Sequence, residues 1–85
     1  MKEFLEYIIK EIVTKPESIE IDEGKEGGIF IYKIRAAEED MGLLIGKEGR
    51  TIKSIKNMAK AKAIKDDVRI SVILEESNSL QNDQI

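Results

Sequence analysis

The octet Ile45-Gly46-Lys47-Glu48-Gly49-Arg50-Thr51-Ile52 holds the residues whose types and spacing could do chemistry. Two glycines bracket a charged pair, an apolar residue stands on either side, and a basic helical pattern follows. Glycine tolerates positive φ and lets a second backbone come close, so this spacing allows a tight turn across which a phosphate chain can lie. A helix starting at Gly49 or Arg50 would aim its unpaired N–H groups and the positive end of its dipole into that turn. That is the chemistry of a clamp for a phosphodiester backbone. A lone G-x-x-G also arises as an ordinary loop, so the flanking residues carry the argument.

Net charge alone argues against a polyanion as ligand, because 14 Lys and Arg face 17 Asp and Glu, for a net of −3. Its distribution argues the other way. Residues 1–40 carry 6 basic against 11 acidic side chains, and residues 66–85 carry Arg69 against five acids. Residues 41–65 carry seven basic side chains (Lys47, Arg50, Lys53, Lys56, Lys60, Lys62, Lys65) against Glu48 alone. Local potential decides where a polyanion lands. A lysine stripe by itself is usually a solvated helix face; beside a G-x-x-G turn it reads as a binding surface.

The composition removes several function classes. With no Cys there is no disulfide framework and no thiol nucleophile, and with no His there is neither a Cys/His zinc site nor His acid–base chemistry. No cofactor and no metal is expected, and no enzyme. Charges enter the N-terminus from Lys2 onward and no apolar run approaches membrane-spanning length. The expectation is a cytoplasmic protein with no membrane role. Eighty-five residues, 41% of them hydrophobic, bound the chain to one small domain with a modest core.

The elements that must position the octet follow from periodicity. Phe4, Leu5, Ile8, Ile9, Ile12 and Val13 make one apolar face of a helix over 2–14, ended by Pro16. A half-buried strand spans 18–23, Gly24 to Gly28 form a turn, and 29–36 is the return strand. On that strand Phe30, Tyr32, Ile34 and Ala36 face one way, and Ile29, Ile31, Lys33 and Arg35 the other. The acidic triplet Glu38-Glu39-Asp40 suits the first turn of a short helix running to Ile45. A carboxylate metal site there would need further oxygen ligands, and none is signalled. Gly42 inside this helix weakens it by about 1 kcal/mol relative to Ala, so close packing or fraying is expected there. A second helix over 50–64 buries Ile52, Ile55, Ala59 and Ala63 and gathers Lys53, Lys56 and Lys60 on a different face. Met58 and Ala61 flank the buried stripe, as the edge of the core or as a contact for a second copy. Residues 68–74 alternate as a last strand, which closes a domain over 1–75, and 76–85 is a polar tail expected to be disordered.

In this order the chain resembles a K-homology (KH) domain of type II: an α+β fold, αββααβ, with a three-stranded sheet and helices packed on one face. It is more closely similar to the small bacterial single-KH RNA-binding proteins of the KhpA kind. The resemblance is carried by the leading helix, by Pro16 before the first strand and by the block from Met41 to Lys53, Gly-Leu-Leu-Ile-Gly-Lys-Glu-Gly-Arg-Thr-Ile within it. It implies that the Gly46–Gly49 loop clamps the backbone of about four nucleotides of single-stranded RNA. By this likeness Gly46 and Gly49 make room for the strand, Lys47 pairs with a phosphate, and Arg50 and Lys53 line the entry. Ile45 and Ile52, with Lys33 or Arg35 from the return strand, would form the wall against which bases lie. Glu48 opposes phosphate unless it points outward or reads a base donor. The likeness further implies a homodimer, a heteromer with a larger multidomain KH-containing RNA-binding protein, and a role as RNA chaperone or post-transcriptional regulator. A KH-like module that binds only protein, or one that grips single-stranded DNA, is the alternative. The clamp reads backbone, and nothing in the sequence addresses a 2′-hydroxyl.

Overall fold

Three apolar helix faces converge on one side of a three-stranded sheet in the computed structural model, which describes residues 1–75. The order is α1 (Lys2–Lys10), β1 (Glu20–Glu26), β2 (Ile29–Arg35), α2 (Glu38–Ile45), α3 (Arg50–Asp66) and β3 (Arg69–Leu74). Short 3-10 turns lie at Pro16–Ser18 and Lys47–Gly49. This is the αββααβ arrangement of a type II KH fold. The expected tail at 76–85 lies outside the described residues.

The sheet order is β1-β2-β3, with β1 and β2 antiparallel and β2 and β3 parallel. Two parallel neighbours need a crossover, and α2, the glycine loop and α3 supply it. The loop is therefore the bend in a connection whose ends are both anchored in the sheet. Leu5 and Ile9 of α1, Ile34 of β2, Leu44 of α2 and Ile55 of α3 are at most 1% exposed and meet in the core. Burial of each such side chain contributes about 1.5–3 kcal/mol. Ala59 and Ala63 let α3 lie close on the sheet, as the small residues of its stripe require.

Several boundaries differ from the periodicity. Strand β1 runs on to Glu26, through part of the stretch expected to turn, and only Gly27-Gly28 reverse the chain. Their φ values of 59° and 82° give the two-residue hairpin turn whose twist matches the strands. Helix α3 continues to Asp66 and stops where Asp67 adopts φ 59°. Gly42 is exposed, and a Cβ there would meet nothing within 4 Å, so close packing does not explain it.

The end of α1 has the most consequential cause. The helix closes at Lys10 instead of reaching residue 14, although Val13 still enters the core. The amides of Glu11, Ile12 and Val13 still reach Ile8 and Ile9 oxygens, and those of Thr14 and Lys15 turn away from the helix. Thr14 donates its N–H (3.0 Å) and hydroxyl (2.8 Å) to Asp40 Oδ1, and Lys15 donates its N–H to Oδ2 at 2.9 Å. Lys15 also forms an ion pair with Glu39. Asp40, expected only to complement the dipole of α2, is thus fully buried and ties the α1–β1 connection to the first turn of α2. Burial alone would raise its carboxyl, but the Thr14 and Lys15 donors outweigh it and hold the pKa below the usual 3.8.

A carboxyl held down on folding stabilises the fold above its unfolded pKa, and that stabilisation is lost as pH falls through the folded value. Melting temperature should accordingly drop as the pH is taken from 5 to about 3. Asp40→Asn, which presents an amide to amide donors, should melt roughly 5–10 °C lower at pH 7 and lose less on acidification. Calorimetry or circular-dichroism melts of both proteins across this range check the expectation.

Candidate nucleic-acid interface

The loop is built by three positive φ angles in four residues. Helix α2 ends where the Gly46 amide reaches the Gly42 carbonyl at 2.8 Å, and Gly46 leaves it at φ 78°, ψ 170°. That region is essentially restricted to glycine. Space restricts it as well, because a Cβ on Gly46 would land on Thr51 Oγ1 and lie 2.6 Å from Thr51 Cβ. Glu48 follows at φ 56° and Gly49 at φ 75°, and a Gly49 amide bond to the Gly46 carbonyl at 3.1 Å closes the turn. Around Gly49 a Cβ would meet nothing within 4 Å. The first glycine is needed for both angle and room, the second for angle alone.

Helix α3 begins at Arg50, immediately after the turn, with no acidic residue in its first turn. The Arg50 amide is taken by the Lys47 carbonyl, so what α3 brings to the loop is the positive end of its dipole, beside the side chains of Lys47, Arg50 and Lys53. Glu48 leans to Arg50, Oε1 to Nη2 at 3.3 Å, with both side chains more than 60% exposed. Such a pair is screened and readily exchanged for a stronger anion. Ile45 and Ile52 are half-buried, and Ile52 packs on the core beside the loop.

Further along α3, past the loop, a groove of about 550 Å³ lies between α3 and β3, with Lys56 and Lys60 on one wall and Ile70, Ser71 and Val72 on the other. Among the described residues, Lys47, Lys53, Lys56 and Lys60 form no ion pair with a carboxylate. These four lysines are thus not neutralised by a carboxylate among the described residues. An aromatic platform is lacking at the loop: Tyr32 is 3% exposed and donates its hydroxyl to Glu23 at 2.7 Å. Burial first, and then this bond, push its pKa up to about 12.

Lys33 and Arg35 stand elsewhere. Tyr32 and Ile34 turn into the core under the helices, so their neighbours on β2 point to the opposite, open face of the sheet. Arg35 there donates to Glu20 (2.7 Å), Asp22 (2.8 Å) and Glu75 (3.2 Å), contacts that raise its pKa, the Glu20 bond most. The geometry brings Ile45, Gly46, Lys47, Glu48, Gly49, Arg50, Ile52 and Lys53 together and leaves Lys33 and Arg35 apart from them. Met58 and Ala61 lie on another side of α3, in a hollow shared with Phe4, Lys62 and Lys65. Ile64, 71% exposed and lining the groove, escapes a reading by periodicity. Its one sequence signal is an apolar residue on the lysine face.

The model of the KhpA/KhpB KH domain matches residues 2–74 of this sequence. The chain belongs to that family. It is 46% identical over 77 residues to the RNA-binding protein KhpA of Chlamydia trachomatis, covering 89% of this chain and 99% of the relative. The KhpA of Clostridium perfringens is 40% identical over 72 residues (85% and 96%), and that of Thermotoga maritima 49% identical over 61 (72% and 81%). The match to the KhpA/KhpB family spans the glycine loop, α3 and β3 alike, so loop and groove belong to one domain.

The three glycines around the loop should separate in a urea-unfolding series. Gly42→Ala, unobstructed in a helix, should stabilise by about 0.5–1 kcal/mol. Gly49→Ala should cost about 1–2 kcal/mol for its left-handed backbone. Gly46→Ala, strained in backbone and blocked by Thr51, should cost roughly 3 kcal/mol or more.

Proposed function

We propose that this protein binds single-stranded RNA without catalysing a reaction, gripping the backbone with the Gly46–Gly49 turn and the basic face of α3. The observation that carries this is the turn itself: Gly46 and Gly49, both at positive φ, bend the chain so that Lys47 sits in the turn, Arg50 and Lys53 open α3 directly after it, and Lys56 and Lys60 follow along the same helix beside a groove. Relatives that span nearly the same length bear the name RNA-binding protein KhpA, which supports RNA as the ligand. Ile45 and Ile52 flank the clamp as the apolar contact for bases. With phosphate contacts dominant and no aromatic platform at the loop, affinity per domain is about micromolar with weak sequence preference. An RNA chaperone or post-transcriptional regulator acting in the cytoplasm fits such a site.

Weak single sites gain from pairing, through a homodimer or a heteromer with a larger KH-containing protein. The hollow at Phe4, Met58 and Ala61, beside a Tyr7 that is 69% exposed, supports one such contact. No described helix is long and apolar enough to cross a membrane. Should the groove serve a protein ligand instead, its lysines would meet an acidic partner and RNA would not bind.

Fluorescence anisotropy with a single-stranded RNA and the matched DNA, at two salt concentrations, tests the proposal. Three phosphate contacts predict about a tenfold weakening for a threefold rise in salt. Lys47→Asp/Glu48→Asp keeps both glycines, and aspartate tolerates the positive φ at 48, so the variant should fold and lose binding. Equal binding by variant and wild type, or none by the wild type, would sink the clamp.

A further inference from the structure

The groove does not end where the lysines do. Beyond Lys60 it opens into a second hollow of about 520 Å³ at the tip of the β1–β2 hairpin, and the two share Ile64, Val68 and Arg69. Its far wall comes from the hairpin, through Lys25, Gly28 and Phe30. Lys25 Nζ sits 5.0 Å from the centre of the Phe30 ring, which holds a cation at the rim of an apolar surface. Ile64 in the last turn of α3 is 71% exposed and Val68, just past the helix, 36%, and with Phe30 they line one hollow as a joined apolar surface. Asp67, at φ 59°, adds a carboxylate to the wall.

We infer that this hairpin-tip hollow is a second RNA subsite, which takes one nucleotide of the strand whose backbone the glycine loop holds. The inference rests on the proposed RNA-binding reading. Ile64 lies fifteen residues beyond Gly49, about 22 Å along α3, so the hollow is remote from the phosphates at the loop. Ile64, Val68 and Phe30 offer a base an apolar face, while Lys25 and Arg69 offer its phosphate two cations. Asp67 gives an acceptor for an exocyclic amino group. Continuity with the lysine-lined groove and the two cations favour the same nucleic-acid strand over a separate protein.

A cytidine tetramer and octamer separate the two sites. Anisotropy titrations would compare wild type with Ile64→Ser/Arg69→Ser, whose changed side chains are exposed, and with Lys2→Ser on α1 as a charge control away from the basic helix. An octamer offers a four-nucleotide clamp about five registers, but it offers them equally to every protein compared. The variant should therefore weaken octamer binding roughly fivefold and leave the tetramer within about twofold, with its octamer salt slope shallower by about 0.7 for the lost phosphate contact. Lys2→Ser should match wild type on both oligomers. The subsite is overturned if tetramer and octamer respond to the variant alike, or if the variant changes only self-association in sedimentation. Failure of wild type to bind either oligomer would instead refute the RNA-binding reading on which the subsite rests.

Discussion

One buried carboxylate organises the helical layer. Asp40 collects three hydrogen bonds from Thr14 and Lys15, across more than 20 residues of sequence, and all of them replace water that a charged group could not give up for nothing. The contact stops α1, directs the chain through Pro16 into β1, and pins the first turn of α2. Because α2 has only eight residues, pinning its start also sets where Gly46 begins the turn. The loop is thus aimed from behind, by a group with no part in the proposed binding surface. Leu44, buried in the next turn, holds the other side of the same helix.

The same economy appears in the charges. An acidic chain of pI about 5.0 can hold a polyanion site because its acids are placed elsewhere. Glu20, Asp22 and Glu75 gather on Arg35 at the open sheet face, Glu39 on Lys15, and Asp66 on Lys62 at the far end of α3. These pairs are exposed or half-exposed and contribute little to stability. Their value lies in leaving the loop and the lysine face positive, where field from the helix N-terminus adds to the side chains. Glu48 is the exception, and its partner Arg50 is close enough to draw it aside.

On the proposed reading, the groove asks for no strong stacking of bases from a protein with few aromatic residues. Tyr32 is spent on the core and on Glu23, and Phe4 is covered in part by Lys62 at 5.7 Å. What remains near α3 is aliphatic: Ile52, Ile64, Val68 and Ile70. Aliphatic walls accept any base face, and a backbone clamp accepts any phosphate, so the chemistry favours breadth of binding over recognition of one sequence. Phe30 at the hairpin tip is the aromatic residue best placed to add to this surface.

The amino-acid sequence by itself determined the element order, the sheet face of each strand residue, the buried stripe of α3 and the residues of the glycine loop. These depend on near-neighbour rules: period 2 on a strand, period 3.6 on a helix, and the backbone angles that only glycine takes easily. The spacing of Ile55, Ala59 and Ala63 shows the first kind of legibility, and Gly46 the last. Tertiary structure decided what depends on distant partners. Asp40 looks like its neighbours Glu38 and Glu39 until Thr14 is folded against it, and nothing within α2 distinguishes them. Alternation puts Lys33 and Arg35 opposite Tyr32 and Ile34, but only the packing of the helices on the Tyr32 face shows that this sets them apart from Lys53. The end of α1, the length of β1 and the hollow that Ile64 and Phe30 line together were likewise settled by segments far apart in the chain, and local pattern carries no record of such placements.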